Sequence, residues 1–339
     1  MTTAETTIAP HDGTQGKTSL GRIQSSVKDR LEAVTEDMVA AVSHEAPLVA
    51  QIGAHLMTMR GKMFRPTLVL LCSSVENKPE PRAIALAAAV ELIHLATLVH
   101  DDAVDHSVLR RGMPTLNSLF SHQISVIMGD FLYSTALTKL VSIGDLNALR
   151  ALTRASTEMT VGEMRQLAIE DALSFDEDDY FALIGSKTAS LISAACEIGA
   201  IAGAKDHSKA LADYGTALGM AFQIADDLID YTEEEQTTGK PTGLDLKEHK
   251  VTLPLIHAMR VMPVSDRKKV ENLFANSEPG DAEVRDVIRI VEDNGGLDYA
   301  RERGSRLAQQ AREALANIPD TVARTALIES ISYVMERHA

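Results

Sequence analysis

Three carboxylates, Asp101, Asp102 and Asp105, sit inside an otherwise apolar run, ELIHLATLVHDDAVDHSVLRRG, from Glu91 to Gly112. A closed hydrophobic core cannot absorb them. On a helix Asp101 and Asp105 point the same way, with Asp102 roughly 100° round the axis, so the three acids border one groove. Bare carboxylates so placed repel one another by a few tenths of a kcal/mol per pair. A divalent cation between them removes that repulsion, and an all-oxygen ligand set favours magnesium. Any fold for this chain must therefore leave a polar opening against an apolar helix.

The same arrangement returns in GMAFQIADDLIDY, Gly219 to Tyr231, where Asp226, Asp227 and Asp230 keep the spacing among Phe222, Ile224, Ala225, Leu228 and Ile229. One DDxxD on a charged surface helix reads as a solvated face. Two on apolar helices, 125 residues apart, predict two carboxylate walls facing each other across a cavity that holds several magnesium ions. Apart from this triad the two halves show no clear internal repeat.

From Thr115 to Lys240 there is no proline, and the stretch is rich in Ala, Leu, Ile, Met and Glu, mostly good helix formers. Helices are predicted over Leu20–Val42, Gln123–Val141, Asn147–Glu170 and Tyr180–Ala204, with a long one opening at Arg82. The acidic run Phe175–Asp179 reads as a solvated break with no function. From Asp281 to His338 the pattern is helical packing, interrupted by a turn at Asn294-Gly295-Gly296. The class is all-α, and nothing in the middle of the 339 residues resembles a linker.

Bulk properties exclude some functions. A net charge of -15 argues against a non-specific nucleic-acid partner. The longest apolar stretch, Ala83 to Val99, is interrupted by Glu91 and His94 and runs into paired aspartates, so it reads as a buried helix and no transmembrane segment is expected. Residues 1–19 lack a basic n-region and an apolar h-region and read as a tail. Cys72 and Cys196, both in apolar surroundings, suit buried thiols in a reducing compartment.

Anionic ligands then need local cations. Arg60-Gly61-Lys62-Met63-Phe64-Arg65-Pro66 is a basic glycine loop opening a helix at a proline, which can hold phosphate. Arg110-Arg111-Gly112, within a few turns of the first acids, reads in isolation as a solvated helix cap, but beside metal-binding carboxylates it implies a diphosphate. Lys187 lies in an apolar small-residue helix and needs a partner or a route to solvent. Lys240 and Lys250 flank a polar loop as further candidates. His94, seven residues before Asp101, shares its face.

In the order GKMFRP, DDAVD with its trailing RRG, MGD at Met128–Asp130, the Lys187-Thr188 pair, FQIADDLID and GKPTGLDLKEHKVTLP, the chain resembles the trans-type polyprenyl diphosphate synthases from about Leu20 to its end. The resemblance implies an all-α, single-domain isoprenoid synthase-type bundle around a deep central cavity over residues 20–339, a cytoplasmic homodimer, and chain-elongating prenyl transfer. It makes Asp101, Asp102 and Asp105 ligands of two magnesium ions and Asp226 ligand of a third, with Asp227 and Asp230 in support. Arg110, Lys187, Lys240 and Lys250 would hold the allylic diphosphate, and Lys62, Arg65, His94 and Arg111 isopentenyl diphosphate. Thr188 and Gln223 match polar groups that steady the allylic cation. Arg60 and His249 depart from the family's pattern, where glycine is common at both.

Ala96 and Thr97, five and four residues before Asp101, are small where short-chain members carry a bulky aromatic floor. The expected product is therefore longer than twenty carbons, such as the side-chain precursor of a respiratory quinone, with peripheral contact to the membrane that receives it. Three neighbouring readings share parts of the pattern: a geranylgeranyl (C20) synthase, a non-catalytic subunit of a heteromeric synthase, and a terpene cyclase. Intact paired motifs argue against the second, and Lys62, Arg65 and Arg111 against the third.

Overall fold

Helix boundaries fall where side chains can satisfy the helix ends, and the long apolar stretches supply the interiors. The structure, a computed structural model, describes residues 19–59, 61–110, 112–169, 171–232 and 242–336. Of the expected tail only Ser19 is among them, and it belongs to the fold: its hydroxyl accepts from the Arg22 N–H as N-cap of α1, Leu20–Gln24. A 3₁₀ turn at Ser25–Val27 separates α1 from α2, Lys28–Val42, where the sequence predicts one helix. Next come α3, Pro47–Thr58, α4, Phe64–Cys72, and α5, Arg82–Val104.

A short antiparallel ribbon, Leu109–Arg110 (β1) with Met113–Pro114 (β2), leads through α6, Leu116–Leu119, to α7, His122–Ile143. Ser121 caps the start of α7; Gly144, at φ +74, ends it, and Asp145 at once caps α8, Leu146–Leu167, by accepting from the Asn147 and Ala148 N–H groups. The predicted helix Tyr180–Ala204 is α9, Glu177–Ile184, a π turn at Gly185–Ala189, and α10, Ser190–Gly203. After α11, Ser208–Thr232, the chain continues as α12, Leu244–Lys247, α13, Leu253–Val261, α14, Val264–Ala275, α15, Asp281–Asp293, α16, Gly296–Ala314, and α17, Val322–Met335.

The strongest packing pairs α5 with α7 and α11 with α10 and α16, so the two acidic helices lie in the middle of the bundle. Two apolar clusters form the core. The larger gathers α2, α4, α5, α7, α8 and α10, and the smaller gathers α9, the end of α11 and α13–α16. Cys72 and Cys196 are buried free thiols, as expected.

Among the described residues three segments, Arg82–Val104, His122–Ile143 and Glu177–Gly203, are long and apolar enough to cross a membrane by length and composition. In α5, 67% of the apolar window is buried inside the bundle. In α7 only 33% is, leaving Ile127 and Val141 exposed on its outer face.

Candidate active site

The first wall is the end of α5. Asp101 stands in its last helical turn, half-buried; Asp102 is buried; Asp105 is the exposed C-cap, its N–H donating to the Asp101 carbonyl at 2.8 Å. The helix thus ends inside the motif, which splays Asp105 outward. Arg110 lies in the β1–β2 ribbon, with Gly112 at φ +75, where its Nε donates to Asp102 Oδ1 at 2.8 Å. Thr115 fastens the return by donating from Oγ1 to the Ser107 carbonyl at 2.6 Å. Burial raises the Asp101 carboxyl to about 6; the Lys187 ammonium opposes that, and Glu163 and Asp105 reinforce it.

The second wall, on α11, repeats this division. Asp226 is exposed, Asp227 buried and Asp230 half-buried. Tyr180 donates from its hydroxyl to Asp227 Oδ2 at 2.6 Å, Gln223 Nε2 donates to Oδ1 at 2.8 Å, and Thr188 Oγ1 donates to Gln223 Oε1 at 2.8 Å. Burial, with Asp245 and Asp226 nearby, pushes Asp227 up to about 7 against the pull of its two donors. Asp230 accepts from the Leu244 and Asp245 N–H groups, both at 3.0 Å, and so anchors the loop that follows. In each motif the middle acid is fixed by neutral or cationic donors.

Lys187 and Thr188 ride on the π turn, a local widening common at functional sites. Lys187 has the partner its surroundings demand: its ammonium lies 2.6 Å from Glu163 Oε2 and donates to Gln166 Oε1 at 2.9 Å, both on α8. The turn fits because α8 carries glycine there; a Cβ on Gly162 would sit 2.5 Å from Ser186 Oγ. Across the opening, Lys250 pairs with Glu248 at 2.6 Å. Burial works to lower the Lys250 pKa, but Glu248, Asp245 and Asp105 hold it above the ordinary lysine value. Because Asp105 acts on Lys250 and Lys187 on Asp101, the two walls share one field. Beside the second wall lies a cavity of about 360 Å³, enclosed by α9, the π turn, α11 and the loop that follows α11, whose lining includes Lys187, Thr188, Gln223, Asp227, Asp245 and Lys250.

Beside α11, the loop before α4 leaves Lys62 exposed, its Nζ 3.5 Å from the Tyr333 hydroxyl, and Arg65 half-buried in the first turn of α4. Phe64 stacks on Phe222, ring centroids 6.2 Å apart, which sets this basic loop next to Gln223. His94 is half-buried on α5 and its carbonyl accepts from Thr97 Oγ1 at 2.8 Å; Ala96 is buried in the core. Arg60, Arg111 and Lys240 lie outside the described residues.

Sequence reading missed four contributors: Glu163, Gln166, Tyr180 and Asp245. The need of Lys187 for an acid was the available signal for Glu163. Asp245 lies within GKPTGLDLKEHKVTLP, where nothing local marks it, although burial and Asp230 raise its carboxyl to about 6.

Among the described residues no three His, Cys, Asp or Glu side chains converge as a ready metal cage. The donors still fit a dication. They are all carboxylate oxygens, divided between two walls, and Asp101 and Asp245 carry the raised pKa values that a positive ion would relieve. Magnesium is commonly held by one or two carboxylates together with substrate phosphates.

The polyprenyl synthetase family profile matches residues 46–291. An octaprenyl diphosphate synthase of Haemophilus influenzae is 34% identical over 318 residues, covering 93% of this chain and 96% of its own. A crystal structure of a decaprenyl diphosphate synthase from Rhodobacter capsulatus superposes with TM-score 0.89 at 35% identity, covering 95% of this chain and all of that one. A polyprenyl synthase from Caulobacter crescentus, complexed with calcium and isoprenyl diphosphate, gives TM-score 0.89 at 33% identity over 96% and 100% of the two chains.

Proposed function

The chain belongs to the polyprenyl synthetase family and is a prenyltransferase of the medium- to long-chain type; from that premise we propose that it condenses isopentenyl diphosphate head-to-tail onto an allylic diphosphate with magnesium, at the acids near the ends of α5 and α11 and the cavity beside α11 that Lys187 and Lys250 line. The observation that supports this most is the matched division of the two acid motifs. Asp102 and Asp227 are buried and clamped, whereas Asp101 is half-buried and Asp105 and Asp226 are exposed, and the fields of Lys187 and Lys250, which line the cavity, reach Asp101 and Asp105.

Asp101 and Asp105 on one wall and Asp226 on the other would hold three magnesium ions; Asp102 has one oxygen committed to Arg110 and contributes by its other oxygen or by fixing that arginine. Magnesium bound there supplies Lewis acidity to the departing diphosphate. Lys187, Arg110 and Lys250, with Lys240, grip the same anion. As the allylic C–O bond breaks, its electron pair leaves with the diphosphate. The isopentenyl double bond, held by Lys62, Arg65, His94 and Arg111, then attacks the allylic carbon. The Thr188 and Gln223 oxygens, aligned by Asp227, place negative dipole ends toward the developing cation. Loss of a proton to the released pyrophosphate restores the double bond. The growing tail runs along α5 past Thr97 and Ala96.

The exposed apolar face of α7 supports a homodimer, in which Ile127 and Val141 would be covered. Buried free thiols support a cytoplasmic setting. The product is assigned to quinone side-chain supply, with release at a membrane surface. The test is to incubate the protein with magnesium, labelled isopentenyl diphosphate and, separately, geranyl, farnesyl and geranylgeranyl diphosphates, and size the dephosphorylated products. Chains of about thirty-five carbons or more are expected; a stop at twenty would make it a geranylgeranyl synthase.

A further inference from the structure

His249 holds a backbone conformation that side chains avoid: φ is +55, where Cβ crowds the following carbonyl. Its N–H donates to the Leu246 carbonyl at 3.2 Å, a bond that glycine would make equally well. The imidazole must therefore earn its place elsewhere. Nε2 lies 3.0 Å from the Asn276 carbonyl, which can only accept, so Nε2 carries the proton. The ring lies 5.4 Å from that of Phe274. Asn276 is the C-cap of α14 and is itself braced, donating from Nδ2 to Glu283 Oε2 at 3.0 Å and accepting from the Glu278 N–H at 3.1 Å. His249 thus ties a loop to a rigid helix end. Asp245, His249 and Lys250 all border the cavity, with the His249 ring nitrogen turned to the Asn276 carbonyl, and the Lys250 N–H donates to the Asp245 carbonyl at 2.8 Å.

We propose that His249 is a positioning residue for the allylic diphosphate: its link to Asn276 fixes the Thr242–Thr252 loop so that Lys250 and Asp245 face the cavity before substrate arrives. Such pre-organisation removes an ordering cost from binding. The inference rests on the reading of this loop as part of the diphosphate site, and it concerns one substrate only, because none of the residues assigned to isopentenyl diphosphate, Lys62, Arg65, His94 and Arg111, belongs to this loop.

The test compares wild type with His249→Gly, His249→Gln and Lys250→Ala, varying each substrate at saturating concentrations of the other. His249→Gly relaxes the backbone and removes the tie. Its allylic KM should rise about fivefold, the equivalent of one neutral hydrogen bond, while the isopentenyl KM stays within about twofold and the melting temperature holds. His249→Gln, whose amide can donate to the same carbonyl, should recover most of the loss. An unchanged allylic KM in His249→Gly, or equal rises for both substrates, overturns the inference. If Lys250→Ala also leaves the allylic KM unchanged, the diphosphate reading of the loop falls with it; if Lys250→Ala raises that KM and His249→Gly does not, the positioning role alone is lost.

Discussion

Tyr180→Phe removes one oxygen from the second wall and nothing else. The hydroxyl donates to Asp227 Oδ2 at 2.6 Å, and both side chains are buried, Asp227 at 6% exposure. A hydrogen bond to a charged acceptor contributes about 1.5–3 kcal/mol. Burial already holds Asp227 at about 7, with Tyr180 and Gln223 as the donors keeping it from rising further. Without the tyrosine the carboxyl stays protonated at neutral pH, and the charge behind Asp226 and the alignment of Gln223 are both lost. If the missing bond is expressed in the transition state, kcat at pH 7.5 falls about 10- to 150-fold. Part of that loss should return toward pH 9, because the limb of the profile belonging to Asp227 moves to higher pH. The assay is steady-state kinetics from pH 6 to 9.5 with saturating magnesium. If the variant's profile superposes on that of wild type after scaling, the hydroxyl does not control the ionisation of Asp227.

Metal removal has a pH signature. Asp101, Asp227 and Asp245 have folded pKa values of about 6, 7 and 6, above the ordinary aspartate value, so their contribution to stability is complete at acid pH and is lost as pH rises through 6 to 7. Since magnesium binds the ionised carboxylates, the melting-temperature gain of magnesium over EDTA should be larger at pH 8 than at pH 5; equal gains would refute the assignment. Gly219→Ala would place a Cβ 2.6 Å from Ala189 Cα, wedging α11 from the π turn one helical turn before Gln223. Denaturant unfolding should show a loss of about 1–3 kcal/mol, with kcat reduced as the Thr188–Gln223 bond lengthens. On the proposed tail path, Ala96→Phe puts a bulky ring where Ala96 is packed in the core, and product sizing should show shorter chains; unchanged length would refute the floor role of Ala96.

Where local chemistry decides, sequence and structure agree. Both acid motifs near the ends of long apolar helices, and the helical run from α7 to α11, follow from local spacing and composition; the clamping of the middle acids Asp102 and Asp227 does not, since it comes from Arg110 and Tyr180. Where a distant partner decides, the sequence is silent. Arg110 reads from the sequence as a diphosphate ligand, and its ion pair with Asp102, eight residues earlier, and its place in a two-stranded ribbon carry no sequence signal. The acidic run at Phe175–Asp179 reads as solvated, yet Asp176 and Asp179 form a capping box for α9, and Glu177 is only 12% exposed. Glu177 meets Arg260 at 2.8 Å, Arg303 at 3.2 Å and the Tyr299 hydroxyl at 2.7 Å, from helices more than eighty residues away. The break between α1 and α2 likewise leaves no mark in a spacing that stays amphipathic throughout.

That two walls hold one diphosphate is tested most directly by calorimetric titration of a non-ionisable allylic thiolodiphosphate into wild type, Asp101→Asn and Asp226→Asn, each with magnesium and with EDTA. Binding should require magnesium in wild type and weaken at least tenfold in either variant, about 1.4 kcal/mol or more. Equal affinity in EDTA, or wild-type affinity in Asp226→Asn, would contradict a shared metal-bridged site between α5 and α11.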